Sequence, residues 1–528
     1  MYKNGNNIQI NEIINPIEEM DLTSKYICEN IDKSLVVFCN PISGNKEGRK
    51  ILNIMEHYIS KENYRLMDYQ YLSTEKTYEP IKALFFELIN KEDNIKGQKL
   101  LKNVTERCKI NKEKDLEEKF WKIKVLIAGG DGTVLSMIDG FVKYGIDIQF
   151  CVFGHIPLGT GNDLSNTLGF SDHINLSDGS VDDLYLIMKK YYEAQFGQVD
   201  VWKIDLQLDP NEGEILVNTK EGKIPLKDEN GNIIKRYKRS FINYISLGYD
   251  ARVGYNFDPK RTTSRNSNKC IYFLEGTKKL FCRKTASVNS FIDTFTVYNS
   301  DENSVNQESF FSEIDKNKEN ENEIKTNNGI LNENNKINEL KPENNEHEIK
   351  YQFISRETLK KNKDLLNDKR YIVLHGKPCS IVFQNIVNYM SGVKDIWGNG
   401  KDHLSVDIKS SSIEDKKKYL NKLLTMAKSQ QKFDDKMLEV FTFDNGLETG
   451  LEKVIKGFAK KIYHGRGPME IKFLETPKYE KDDKKHRIYF NLDGEYFHIV
   501  KPISLKIELN RDYLNGQLPF LIRNKTNK

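Results

Sequence analysis

Hydrophobic positions fall into two textures along the chain. In the first part, unbroken apolar runs alternate with stretches of helical period. Residues 34–39 form one run, followed by the polar Asn40-Pro41-Ile42-Ser43-Gly44 and a helical pattern over 49–60. Residues 122–128 form the next. It stops at Gly129-Gly130-Asp131-Gly132-Thr133, after which Val134, Leu135, Met137 and Ile138 recur at helical spacing. Residues 148–153 form a third, leading to Pro157-Leu158-Gly159-Thr160-Gly161-Asn162-Asp163-Leu164 and another helical start. Continuous apolar runs of this length read as strands buried on both faces, and their alternation with helices predicts an α/β unit with a parallel sheet. Residues 64–72 add a candidate strand. Residues 79–91, 97–120 and 181–193 add candidate helices.

After the last of these helices the spacing changes to two. Val199, Val201, Ile204, Leu206 and Leu208 alternate with polar residues, and Asp228-Glu229-Asn230-Gly231 reads as a hairpin turn without the spaced oxygen ligands of an EF-hand loop. Short strand candidates recur at 240–247, 287–297, 371–374, 379–385, 438–442, 469–473, 487–491 and 504–509. This predicts a mainly antiparallel β-sandwich, with the boundary near residue 195. The expected organisation is an N-terminal extension over 1–32, an α/β domain over 33–194, a β domain over 195–515 and a C-terminal tail over 516–528. Residues 301–350 interrupt the β domain. Asn, Glu and Lys make up 30 of these 50 residues (13, 11 and 6), too polar a mixture to bury a core, so this insert is expected to be disordered. Residues 415–432 are a Lys-rich helix candidate, either a solvated face or a weak contact for an anionic membrane.

Composition narrows the partners. A net charge of +4 is too small to imply nucleic acid. The seven cysteines form no Cys-x-x-Cys pair, so zinc-finger spacing is absent. No signal-like segment opens the chain, no apolar run reaches the ~18 residues of a membrane span, and no lipidation motif stands at either end. The expectation is a cytoplasmic protein without a transmembrane segment.

The chemistry lies in the turns. Glycines let backbone N–H groups approach an anion, and the helix that follows adds its positive end. All three turns would lie at the carboxyl ends of parallel strands, where α/β sheets bind ligands. Asp131 is out of place beside a phosphate unless a metal intervenes or it handles a proton. A tight strand–helix connection is the plainer reading of any one turn taken alone.

Taken together and in this order, the three turns resemble the catalytic domain of diacylglycerol kinases. The resemblance continues through Asp200-x-Trp202, Asn243-Tyr244, Gly248-x-Asp250-Ala251, Phe257 with Arg261, Ser264-Arg265, Asn268-Lys269 with Tyr272, and Asn385-Ile386. It extends to Trp397-Gly398, Asp434-Asp435-x-Met437-Leu438 and Asp493-Gly494-Glu495, covering about residues 33–515. There are departures. Lys436 stands where a glycine usually follows the second aspartate, Leu135-Ser136 where animal enzymes have Gly-Trp, and Ser165-Asn166 where Ala-Arg is usual.

The resemblance implies a phosphofructokinase-like α/β domain with an accessory β domain, acting as an ATP- and Mg²⁺-dependent kinase that converts diacylglycerol to phosphatidic acid. It implies that Asn40, Pro41, Ser43, Gly44, Gly129, Gly130, Gly132, Thr133, Gly159, Thr160, Gly161, Asn162 and Asp163 bind the nucleotide. Asp131, Asp493 and Glu495 become the catalytic candidates, and Asp435 a candidate ligand for a structural Mg²⁺. Locally, Asp493-Gly494 reads as a hairpin turn; only the resemblance makes it a site. The substrate implies peripheral, reversible association with a membrane surface. Alternatives are a sphingoid-base or ceramide kinase, whose members usually carry Ala where this chain has Asp163, and an inactive lipid-binding scaffold. An NAD kinase shares Gly-Gly-Asp-Gly but leaves the later motifs unexplained.

Overall fold

The structure is a computed structural model. It describes residues 35–41, 43, 44, 47–58, 65–68, 123–146, 148, 151–170, 181–262, 265–281, 286–298, 349–363, 371–374, 377–390, 392–401, 428–452, 454–475 and 488–523. The candidate helices at 79–91 and 97–120, the extension over 1–32, nearly all of the 301–350 insert and most of 415–432 lie outside these residues.

The first unit is built from β1 (Leu35–Cys39), α1 (Glu47–Tyr58), β2 (Arg65–Asp68), β3 (Ile123–Gly129), α2 (Asp131–Lys143), β4 (Cys151–Pro157), α3 (Asp163–Thr167) and α4 (Val181–Tyr192). Strands β2, β1, β3 and β4 lie side by side and parallel, with Cys39 beside Ala128 and Gly129 beside Pro157. Val125, Leu126, Ile127 and Ala128 are wholly buried, as expected for strands covered on both faces. Helix α2 buries Val134, Leu135, Met137, Ile138 and Phe141, one apolar stripe against the sheet. The third apolar run gives a strand that starts and ends later than expected, over Cys151–Pro157, all seven residues buried; at its centre Gly154 lies close under Leu126, where a Cβ would stand 2.5 Å from that side chain.

Two boundaries differ from expectation. Residues 195–200, assigned to the β domain, form β5 (Gln195–Asp200) of this first sheet. The expected tail over 516–528 contains a strand, Gln517–Ile522, that enters the same sheet between β4 and β5. It runs parallel to β4 and antiparallel to β5, so the sheet is mixed. The physical reason is burial: Leu518, Phe520 and Leu521 are fully covered, and Phe520 packs on Phe153.

The second unit continues with β6 (Trp202–Leu208), β7 (Glu214–Thr219), β8 (Gly222–Pro225), β9 (Arg236–Phe241), β10 (Tyr244–Gly248), α5 (Tyr249–Phe257), α6 (Arg265–Phe281), β11 (Ile292–Tyr298), β12 (Ile349–Ile354) and α7 (Arg356–Lys361). It goes on through β13 (Tyr371–Val373), β14 (Ser380–Gln384), the short hairpin β15 (Asn388–Tyr389) and β16 (Val393–Lys394), α8 (Ile396–Asn399), β17 (Leu438–Phe443) and α9 (Gly446–Leu451). Then come β18 (Lys460–Gly465), β19 (Met469–Phe473), β20 (Ile488–Leu492), β21 (Glu495–Val500), β22 (Pro502–Leu509) and the returning β23 (Gln517–Ile522).

An eight-stranded sheet, β18-β17-β14-β10-β20-β21-β7-β8, and a seven-stranded one, β13-β12-β11-β19-β22-β6-β9, bury a common core. All their pairings are antiparallel except β12 with β13. Helices α5 and α6 interrupt a stretch whose spacing suggested only strands. The candidate strand at 240–247 is two strands, broken at Ile242-Asn243.

Candidate active site

The three glycine turns meet at the carboxyl ends of adjacent strands β1, β3 and β4. Gly44 has φ +63°, and a Cβ there would stand 2.9 Å from the Leu158 carbonyl oxygen. The Leu158 N–H donates to the Gly129 carbonyl at 2.9 Å. Gly130 and Gly159 touch directly: a Cβ on Gly159 would fall 2.9 Å from the Gly130 Cα and 2.8 Å from Asn162 Oδ1. Asn162 itself is left-handed (φ 55°) and buried, a conformation asparagine tolerates. Asn40 donates its N–H to the Ala128 carbonyl and Thr133 its N–H to Gly130, so the turns brace one another. Pro41 is buried beneath the first turn, while Ser43, Gly161 and Gly132 are partly open.

Asp131 opens α2. Its Oδ2 accepts the Asp163 N–H at 2.8 Å, tying the second turn to the third. Its Oδ1 stands 3.6 Å from Nδ1 of His155, whose Nε2 lies 3.1 Å from the Gly129 carbonyl. Burial pushes the His155 pKa down to about 4, against the pull of that carbonyl. The ring is therefore neutral and Nε2 carries its proton toward Gly129. Asp163 turns its side chain away from the first unit: Oδ1 accepts the Gly392 N–H at 3.0 Å from the β15–β16 hairpin. Asn388 of the same hairpin donates to Thr167 Oγ1 at 2.8 Å. This carboxylate thus clamps the two units together. Thr160 Oγ1 accepts from Asn268 Nδ2 of α6 at 3.4 Å.

Asp493 comes from the second unit. It occupies the β20–β21 turn at φ 47°, where Oδ2 accepts the Ile242 N–H (2.7 Å) and Oδ1 the Asn243 and Tyr244 N–H groups (both 2.9 Å). Burial raises its pKa to about 7; the three donors pull it down, and the charge of Asp131 pushes it further up. Glu495 is held by Arg239 through two hydrogen bonds, 2.6 and 2.8 Å, beside the second turn: a Cβ on Gly132 would lie 3.8 Å from Glu495 Oε1.

Asp435 lies elsewhere, where β5 passes into β6. Its Oδ1 accepts the Met437 N–H at 3.1 Å. Lys436, in place of the usual glycine, adopts the glycine-like φ of 61° and donates its N–H to Asp200 Oδ2 at 2.5 Å. Burial raises Asp435 to about 6 and Asp200 to about 7. Among the described residues no group of three or more His, Cys, Asp or Glu side chains is arranged to hold a metal ion.

Sequence reading passed over Arg239, His155, Asn388 and Gly392. Arg239 sits in the basic run Arg236-Tyr237-Lys238-Arg239, which reads as a solvated strand. His155 sits within an apolar run, where a satisfied core histidine is the ordinary case. Neither the hairpin's approach to Asp163 nor Arg239's reach to Glu495 has a local signal.

Adjoining glycine turns on a parallel sheet, with Glu495 of the β-rich unit beside Gly132, form an arrangement of the kind that holds phosphates near carboxylates. Comparison with known proteins agrees with this class. Residues 34–199 match the diacylglycerol kinase catalytic domain and residues 240–496 the diacylglycerol kinase accessory domain. The chain belongs to the diacylglycerol kinase family. It is 28% identical over 180 residues to diacylglycerol kinase 2 of Arabidopsis thaliana, covering 33% of this chain and 22% of that protein. It is 29% identical over 258 residues to diacylglycerol kinase iota of Rattus norvegicus, covering 47% and 19%. To diacylglycerol kinase 3 of Arabidopsis thaliana it is 28% identical over 260 residues, covering 45% and 47%. The aligned segments span less than half of each of these relatives.

Proposed function

We propose that this chain is an ATP-dependent kinase that phosphorylates 1,2-diacylglycerol to phosphatidic acid. The observation that carries the reading is that the glycine turns meet residues of the second unit: Asp163 Oδ1 accepts the Gly392 N–H at 3.0 Å, Thr160 Oγ1 accepts from Asn268 at 3.4 Å, and Glu495, two positions from Asp493, lies beside Gly132. Phosphoryl transfer needs mostly positioning and neutralisation of charge. The turns around Gly44, Gly130 and Gly159 cradle the triphosphate on a phosphofructokinase-like sheet. Mg²⁺ carried by the nucleotide supplies the neutralisation when bound, and the carboxylate of Asp131 suits a phosphate-binding turn in its company.

Asp493 accepts the proton of the lipid hydroxyl. The hydroxyl oxygen bonds the γ-phosphorus as the bond to the bridging β–γ oxygen breaks, releasing ADP. A base of pKa near 7 is matched to this work at physiological pH. Arg239 fixes Glu495 beside Gly132 at the mouth between the units. Asp435 remains a candidate for a structural Mg²⁺ completed by main-chain and water oxygens. No helix among the described residues is long and apolar enough to cross a membrane, and we place the enzyme at the cytoplasmic membrane surface, reversibly bound.

The test is the purified chain with Mg-ATP and a panel of diacylglycerol, monoacylglycerol, ceramide and sphingosine in mixed micelles. Phosphate transfer to diacylglycerol above the others is the expected result. Transfer confined to ceramide or sphingosine would assign the alternative lipid class, and no transfer to any would leave a scaffold.

A further inference from the structure

We infer that the outer face of helix α6 and the α9 turn region docks on an anionic lipid bilayer. The inference rests on the lipid-kinase reading for its purpose, while its evidence is separate. Phe273 and Leu274 on α6, and Leu447, Val454 and Ile455 on α9 and the turn after it, are exposed; at 72% and 81%, Phe273 and Val454 are the most exposed large hydrophobic side chains among the described residues. The two elements are neighbours. Tyr249 donates its hydroxyl to the Gly276 carbonyl of α6 at 2.7 Å, and its ring lies against Gly446 at the start of α9, where a Cβ would stand 2.4 Å away. Five exposed apolar side chains thus sit on two adjoining elements, and clustered exposed apolar side chains mark interaction surfaces.

The charge around the patch identifies the occupant. Lys269 and Lys456 are exposed, while Lys278 is exposed but paired with Glu275. The acids of the same elements are withdrawn from solvent. Glu275 is buried and bonded to Lys260 and Lys278, Glu452 is buried and takes the Gly457 and Phe458 N–H groups, and Glu448 is half-buried and takes the Asp444 N–H. Exposed apolar side chains with outward lysines on the same elements, and acids withdrawn, match the acyl boundary and head groups of an anionic membrane.

The position fits as well. Asn268, which touches Thr160 of the third glycine turn, precedes Phe273 by five positions on α6, about 7.5 Å along the axis at ~1.5 Å per residue. A hydroxyl held at head-group depth would have little distance to travel to the cleft.

Vesicle flotation of the full chain tests this. Wild type is expected to float with vesicles of phosphatidylcholine and phosphatidylserine, and less with phosphatidylcholine alone. The doubles Phe273→Ser/Leu274→Ser and Val454→Ser/Ile455→Ser should each bind about a hundredfold more weakly. Lys269→Gln and Lys456→Gln should each lose about fivefold, on the anionic vesicles only. Melting curves confirm folding, and Phe273→Trp should shift its emission to the blue with vesicles.

Doubles that float like wild type, or a wild type that floats with neither vesicle, overturn the inference. So does self-association that disappears in the doubles, which would give the face to a second copy. Activity separates this from the reaction itself. The doubles should lose turnover of long-chain diacylglycerol in vesicles yet keep it on a short-chain soluble diacylglycerol. A wild type that floats through this face but phosphorylates neither substrate would refute the reaction and leave the docking surface standing.

Discussion

Replacing Asp493 by Asn separates its two jobs. Asparagine accepts the left-handed φ of 47°. Its single amide oxygen can serve the Asn243 and Tyr244 N–H groups, but its NH₂ then faces the Ile242 N–H, which Oδ2 accepts at 2.7 Å in the native protein. One buried donor is left without an acceptor, at a cost of about 1–3 kcal/mol. Part of this is offset because a desolvated charge disappears. The offset depends on pH. The native carboxyl keeps its proton up to about 7, whereas the unfolded one releases it near 3.8. Between these values the native state binds more protons. Asp493 therefore makes wild type less stable as pH rises from about 4 to 7, by at most ~1.4 kcal/mol per unit, with no further change above 7. The Asn variant lacks this slope, so its deficit in Tm should be largest near pH 5 and narrow by pH 8. Turnover should fall by about 10²–10⁴-fold. Wild-type kcat/KM should rise with pH through a midpoint near 7, and the variant should lose that limb. Steady-state kinetics and melting curves from pH 5 to 9 measure both. A variant within tenfold of wild-type kcat, with the limb intact, would show that Asp493 only locks the Ile242–Tyr244 backbone.

Other outcomes follow from the same cleft. Asp131→Ala should be as inactive as Asp493→Asn but, unlike it, should change the Mg²⁺ dependence of residual turnover, read by titrating Mg²⁺ at fixed ATP. Gly159→Ala should abolish ATP binding, because its Cβ would press on backbone of the neighbouring turn at 2.9 Å, while Gly132→Ala, with nothing nearer than 3.8 Å, should keep it; equilibrium binding of a nucleotide analogue compares them. Arg239→Lys loses the two-point hold on Glu495 but keeps the charge, and with Glu495 partly open to solvent it should lower stability by only about 0.2–1 kcal/mol, seen in urea unfolding. Exchanging residues 300–348 for a short hairpin turn should leave Tm and kcat nearly unchanged, because Tyr298 and Ile349 are already paired across neighbouring strands.

Much of this architecture was legible, for reasons that are local. A glycine that must let another turn pass, as Gly159 does beside Gly130, leaves its mark in sequence. So does an apolar run buried on both faces, as in β3. The candidate strand at 469–473 has the bounds of β19 because its alternation and its flanking Pro468 are both nearby signals. The misses are non-local. Nothing around residues 517–522 says that they belong beside β4, and Pro519 argues against an interior strand. Helices α5 and α6 carry Gly254, Gly276 and several asparagines, which blur helical spacing. In the site, the glycine turns were visible, whereas the engagement of Asp163 by Gly392 depends on a hairpin more than two hundred positions away. The turn at Asp435 was in doubt because Lys436 replaces glycine. The structure keeps the glycine-like conformation and leaves the strain on the lysine.

The insertion of β23 between β4 and β5 has a consequence for biosynthesis. The first sheet has a gap at one place until β23 emerges from the ribosome, 360 positions after the end of β4 (517 against 157). At ~5–20 residues per second this wait is about 20–70 s. During it, β4 and β5 present unpaired backbone edges, the kind of surface that chaperones cover and that strays into wrong pairings. Every copy of the protein must therefore complete its β-rich unit before its glycine turns have a finished sheet to stand on. An aborted or C-terminally clipped chain would carry all three glycine turns and still lack the strand that closes the sheet beneath them.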